Sequence, residues 1–127
     1  MSGTIQFDYD GRNDIVVATP RWHIRTREDC EIWYHQWVDY LATFGRRVDC
    51  VMVLDDFHVE PEIATVWGEY RARINNQYTR LSYRVHSDWA VRLFSAMSGA
   101  RYDAASANAP SVEAAVEAIL RARGSES

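Results

Sequence analysis

From Thr4 to Asp10 the chain reads TIQFDYD, with Ile5, Phe7 and Tyr9 apolar and their neighbours polar. A period of two held over seven residues predicts a half-buried strand. Asp10-Gly11 opens a turn and DIVVATP (14–20) supplies a second strand, so the first two strands are expected to form a hairpin. Beyond the polar PRWHIR the period becomes helical. Trp33, Trp37, Tyr40, Leu41 and Phe44 share one face, Thr26 with Asp29 is a variant capping box, and Gly45 is the stop. VDCVMVL (48–54) is apolar almost throughout. Such a run predicts a central strand with helices on both sides of its sheet.

Pro61 suits the first turn of a second helix, whose buried stripe is Ile63, Val66, Trp67, Tyr70 and Ile74. LSYRVH (81–86) alternates again as a fourth strand. Ser87 is positioned to cap a third helix carrying Trp89, Leu93, Phe94 and Met97, ending near Gly99. RYDAASANAP offers one short edge strand around Tyr102 to Ala105. Ser111 starts a final helix with Val112, Ala115, Val116, Ile119 and Leu120 facing inward. The expected fold class is α/β: a mostly parallel four- or five-stranded sheet with an N-terminal hairpin and helices on both faces. No repeat, linker or low-complexity segment divides the chain. Residues 1–123 are therefore expected to form one domain, with 124–127 as a disordered tail.

Composition narrows the function classes. The chain has 127 residues, 47% of them hydrophobic and 25% charged, which is enough for a core without disulfides or metal. A net charge of −4 gives no electrostatic reason to expect nucleic acid as a partner. All 14 basic residues are arginine, spread along the chain, so a catalytic lysine is excluded. Cys30 and Cys50 form no C-x-x-C pair and read as core thiols of a reduced, cytoplasmic protein. The start has no signal-peptide pattern, and no apolar stretch is long enough for a membrane span.

The densest polar chemistry is VLDDFHVEP (53–61). Asp56, His58 and Glu60 fall on one face of an extended segment, a trio that suits a divalent ion in principle. Against that, no second histidine is near in sequence and the usual zinc spacings are absent, so a solvated loop ahead of a helix is the plainer reading. His23, His35 and His86 read as surface or boundary histidines. No serine elbow, phosphate-binding glycine loop or cysteine with a sequence-local base occurs, and no cofactor is expected. Trp33, Trp37, Trp67 and Trp89 fall on helical stripes and belong to the core. Trp22, beside Arg21 and His23, fits two placements: an exposed anchor for a partner or a ring packed over the sheet end. Arg71, Arg73, Arg80 and Arg84 are expected on a solvated face.

The opening hairpin, the CVMVLDDF strand and its loop, the long helix after it and the closing SVEAAVEAIL helix resemble the STAS domain. This is the SpoIIAA-like fold of bacterial anti-sigma-factor antagonists. The likeness lies in order and spacing over nearly the whole chain. It implies a bacterial regulatory or scaffolding role, exercised through a protein partner or homodimer rather than by catalysis. In that family the loop after the third strand carries a phosphorylatable serine or threonine. Here no hydroxyl residue lies between Val48 and Ala64, so the resemblance carries over the fold and a binding surface but not the phosphorylation. The residues expected to form that surface are Asp55, Asp56, Phe57, His58, Glu60 and Trp22. A small-molecule or lipid module with an aromatic-lined pocket is the alternative, and a small metal-dependent enzyme the third.

Overall fold

A computed structural model describes residues 3–86 and 106–125. Strands β1 (Thr4–Asp10) and β2 (Ile15–Ile24) precede helix α1 (Arg27–Leu41), then β3 (Val48–Val53) and β4 (Phe57–Val59). Helix α2 (Ala64–Gln77), β5 (Thr79–Val85), β6 (Ser106–Ala109) and α3 (Val112–Ser125) follow. Single 3-10 turns follow α1 and precede α2. The expected helix from Ser87 to Gly99 and the strand at Tyr102 to Ala105 lie outside the described residues. The described edge strand begins just after the latter, at Ser106.

The sheet runs β1-β2-β3-β5-β6, antiparallel in the β1–β2 hairpin and parallel elsewhere, with β4 paired to the end of β2. It therefore has six strands rather than four or five. The sequence pattern hides β4 because three residues are too few to show a period. Alternation along the strands sorts two cores. Val16, Ala18, Cys50 and Met52 point to α1 and α2, while Ile15, Val51 and Val85 point to α3. Helices thus cover both faces, and β3 is buried from Val48 to Met52, as a central strand must be.

The local signals act where expected. Thr26 accepts from the Asp29 amide while the Asp29 side chain accepts from the Thr26 amide, a reciprocal cap on α1. Gly45 ends that helical segment at φ 65°, where a Cβ would be strained. Ser111 accepts from the Ala114 amide at the head of α3. Two details differ. Helix α3 continues through Gly124 to Ser125, and Leu120 is 40% exposed while Ala115 and Ile119 fill the core position. Val112, Ala114, Ala115, Val116 and Ile119 pack on the sheet-side core, and Leu120 falls at the rim of that stripe.

The hairpin turn is pinned by carboxylates. Asp10 accepts from the side-chain amide of Asn13 at 2.8 Å and from the amides of Asn13 and Arg12. These bonds hold its carboxyl below the usual range, the Asn13 side chain most of all. Asp14 takes the left-handed conformation at φ 56° and accepts from Arg46 and from the Tyr9 hydroxyl.

One charge is interior. Asp49, 4% exposed near the start of β3's apolar run, meets Arg123 of α3 at 2.7 Å and accepts from the Leu81 amide at 2.9 Å. Arg80 approaches its other side at 3.4 Å. Arg123 also donates to the Asn13 and Asp14 carbonyls, so one guanidinium joins α3, the hairpin turn and β3. Removing one partner of a buried pair strands the other charge. Arg123→Ala is therefore expected to cost about 3 kcal/mol in urea unfolding. A loss under about 0.5 kcal/mol, the surface norm, would show that the pair does not hold these elements together.

Candidate functional site

The expected site residues gather where β2 changes partner. β2 first pairs with β3, from Ile15 opposite Asp49 to Ala18 opposite Met52, and then with β4, from Trp22 opposite Phe57 to Ile24 opposite Val59. Between the two ladders β2 has three residues, Thr19 to Arg21, and the other chain segment has four, Val53 to Asp56. The surplus is taken up in a tight turn. The Phe57 amide donates to the Leu54 carbonyl, the Leu54 amide to the Val85 carbonyl, and the Trp22 amide to the Asp56 carbonyl. Pro20 sits in this gap, where its missing N–H costs the β2–β3 and β2–β4 ladders nothing.

β2 therefore does not stop at Pro20. Ala18, Pro20, Trp22 and Ile24 are buried, while Arg21 and His23 are exposed on the opposite face. This corrects two expected surface positions. Trp22 is 4% exposed and Phe57 is 7% exposed. Phe57 packs between Trp33 and Trp67 with centroids 6.3 and 5.6 Å away, and Trp33 lies 5.4 Å from Trp67. Trp22 is closed over by Gly3, where an added Cβ would overlap the Trp22 ring and the Arg21 carbonyl. Strand parity decides both cases: the inward positions of β2 and β4 belong to the core beneath α1 and α2.

The polar members stay outside and are joined by residues from β2. His23 lies opposite His58, ring centroids 6.2 Å apart. Glu60 Oε1 meets His23 Nε2 at 2.5 Å, and Arg25 donates to His23 Nδ1 at 3.0 and 3.2 Å. A guanidinium only donates, so Nδ1 is the acceptor and Nε2 carries the proton given to Glu60. Both ring nitrogens are engaged, which leaves neither available as a base or ligand in this arrangement. Asp56 lies 3.8 Å from Arg21, and Asp55 lies 3.5 Å from His86 Nδ1. Among the described residues, no three of His, Cys, Asp and Glu are placed to hold a metal ion.

Sequence reasoning assembled Asp55, Asp56, His58 and Glu60 but left out Arg21, His23 and Arg25. The available signal was the apolar–polar alternation that continues through Pro20 to Ile24. His35 stays apart, on the exposed side of α1 against Tyr34. The four arginines expected on one solvated face are also divided. Arg71 and Arg84 are buried on the α1–α2 side, Arg71 with its guanidinium 5.6 Å from the Trp67 ring centroid and Nη1 3.6 Å from Met52 Sδ. Arg73 lies over Tyr70, and Arg80 turns to Asp49.

Neither thiol is prepared for nucleophilic work. Burial pushes the Cys30 thiol up to about 11 and raises that of Cys50 further, with nearby carboxylates adding to both. The chain matches no family model and no curated protein.

Burial and exposure separate neighbouring positions sharply. Phe57→Ala is expected to cost about 3–5 kcal/mol, and His58→Ala to stay within about 0.5 kcal/mol. Equal melting temperatures for the two variants would contradict the inward placement of Phe57. The thiols give a second measurement. A folded-state pKa above the unfolded value adds stability at lower pH. For Cys30 that contribution is complete below about pH 8.5 and is lost as pH rises towards 11. Native protein at pH 8 is expected to resist thiol alkylation at both cysteines, and urea-unfolded protein to react at both. Rapid labelling of the native form would show that Cys30 is accessible.

Proposed function

We propose that the chain is a STAS-like regulatory or scaffolding module that works by binding a protein partner rather than by catalysis. The surface in question is the polar face at the ends of β2 and β4. Arg21, His23, Arg25, Asp56, His58 and Glu60 are its members. The observation that carries this reading is the His23–Glu60–Arg25 linkage across the β2–β4 pair. It fixes charged and imidazole groups on rigid strands, facing solvent, with both histidine nitrogens already engaged. Such a face offers geometric and electrostatic complementarity to another surface. The order of strands and helices, with the hairpin first, supports the STAS likeness. No helix among the described residues is long and apolar enough to cross a membrane.

Asp56→Asn, His58→Gln and Glu60→Gln together are expected to leave the melting temperature nearly unchanged, since exposed substitutions each stay within about 0.5 kcal/mol. The same triple change is expected to abolish retention of a stoichiometric protein partner on the immobilised chain. Elemental analysis supplies the opposing outcome. A stoichiometric divalent metal in the purified protein that vanishes in the triple variant would overturn this reading in favour of a metal-dependent enzyme.

A second reading rests on the aromatic core. Among the described residues, the indole N–H groups of Trp22, Trp33, Trp37 and Trp67 are buried without a hydrogen-bond acceptor. A buried donor left unmet costs about 1–3 kcal/mol. A small molecule carrying carbonyl or carboxylate oxygens between α1 and α2 would meet those of Trp33 and Trp67, which face each other there, and quenching of tryptophan emission at stoichiometric ligand would reveal it.

A further inference from the structure

β1 forms an edge of the sheet and, among the described residues, pairs only with β2. The outer edge of such a seven-residue strand presents a row of amides and carbonyls to any strand that can match it. The usual obstacles are few. β1 contains no proline, and its register with β2 runs unbroken from Thr4 opposite Arg21 to Asp10 opposite Ile15. Beside this edge stands Tyr9, 44% exposed and the most exposed large hydrophobic group among the described residues. It leans on Phe44 at 5.1 Å, and Phe7 stacks on Tyr40 at 4.3 Å.

We propose that β1 pairs antiparallel with β1 of a second copy of this chain, about a two-fold axis normal to the sheet at Phe7. The sequence of the strand selects that centre. A two-fold axis normal to the sheet keeps equivalent faces together, so the centre must fall on a residue. Centring on Asp8 sets the two Asp8 carboxylates opposite each other, a like-charge pair. Centring on Gln6 brings only Ile5, Phe7 and their nearest neighbours into register and leaves Tyr9 outside. Centring on Phe7 uses the whole strand. Phe7 then faces its own copy, Ile5 faces Tyr9, Thr4 faces Asp10, and Gln6 faces Asp8. The last pair is complementary: within one chain the Gln6 amide already donates to the Asp8 carboxylate at 3.0 Å. Tyr9 would lose its exposure against Ile5 of the other copy.

A seven-residue strand pair lies at the low end of specific interface size, so the dimer is expected to be weak and concentration-dependent, with a micromolar Kd. It uses different residues from the proposed partner face and stands or falls independently of it.

Sedimentation equilibrium from low micromolar to millimolar protein tests the pairing. Wild type is expected to pass from monomer to dimer. Gln6→Asp sets carboxylates opposite each other twice, by symmetry, and is expected to weaken the dimer about tenfold. Gln6→Asp with Asp8→Lys makes both opposed pairs attractive and is expected to restore it. Both positions are exposed, and a thermal melt confirms folding of each variant. Should Gln6→Asp fail to fold, Gln6→Lys replaces it, with a tighter dimer as the expected result. A wild type that remains monomeric at millimolar concentration would overturn the proposal, leaving the edge to a strand from a different chain. So would a dimer whose Kd is the same in all variants.

Discussion

Between its pairing with β3 and its pairing with β4, β2 contributes three residues while the facing segment contributes four. One extra residue cannot be absorbed in a regular ladder, because opposed side chains must stay in step on each face. The chain solves this by looping Leu54 to Asp56 out in a turn and resuming at Phe57 with parity restored. Phe57 then faces the same side as Trp22, and His58 the same side as His23. The aromatic core beneath α1 and α2 and the polar face above both depend on that one-residue surplus. Without it, His58 would point into the Trp33–Trp67 cluster and Phe57 into water.

Asp49 imposes a comparable constraint at the other end of β3. Its carboxylate is surrounded by apolar neighbours on its own strand, so ionisation is tolerable only with donors close by. Those donors come from far along the chain: Leu81 and Arg80 from β5, Arg123 from α3. The same Arg123 binds the carbonyls of the hairpin turn. An α3 shifted along the sheet would separate Arg123 from both. The ion pair thus specifies register more than it adds stability, since a buried pair roughly offsets its own desolvation cost.

Much of the fold was legible because its signals are local. The Thr26–Asp29 cap, the Gly45 stop, the Trp33–Trp37–Leu41 stripe and the apolar β3 run each need only neighbours in sequence. What was not legible needs partners distant in sequence. Pro20 reads as the end of a strand until β4 is known to resume the pairing two residues later. Arg71 reads as solvated because a helical arginine usually is. Only the packing of α2 over Met52 of β3, with the Trp67 ring one turn earlier on the same helix, turns it inward. Within the candidate site, the 55–60 loop was visible from its carboxylates, but His23 was not. Its chemistry arises from Glu60, 37 positions away.

The two readings of the site place different demands on the same strands. A partner-binding face needs its polar groups exposed and held. The Glu60–His23–Arg25 chain satisfies that without drawing on the core, and exposed pairs of this kind add little to stability. A ligand pocket needs the reverse: donors left unmet in the interior, at a cost to the empty fold that the ligand recovers. The buried indoles carry that signature, but Phe57, Trp33 and Trp67 are packed ring to ring at 5.4 to 6.3 Å. These are ordinary aromatic packing distances, so a ligand there would have to separate rings already in contact. The polar face asks for no such rearrangement, and that difference in cost places the protein-binding reading first.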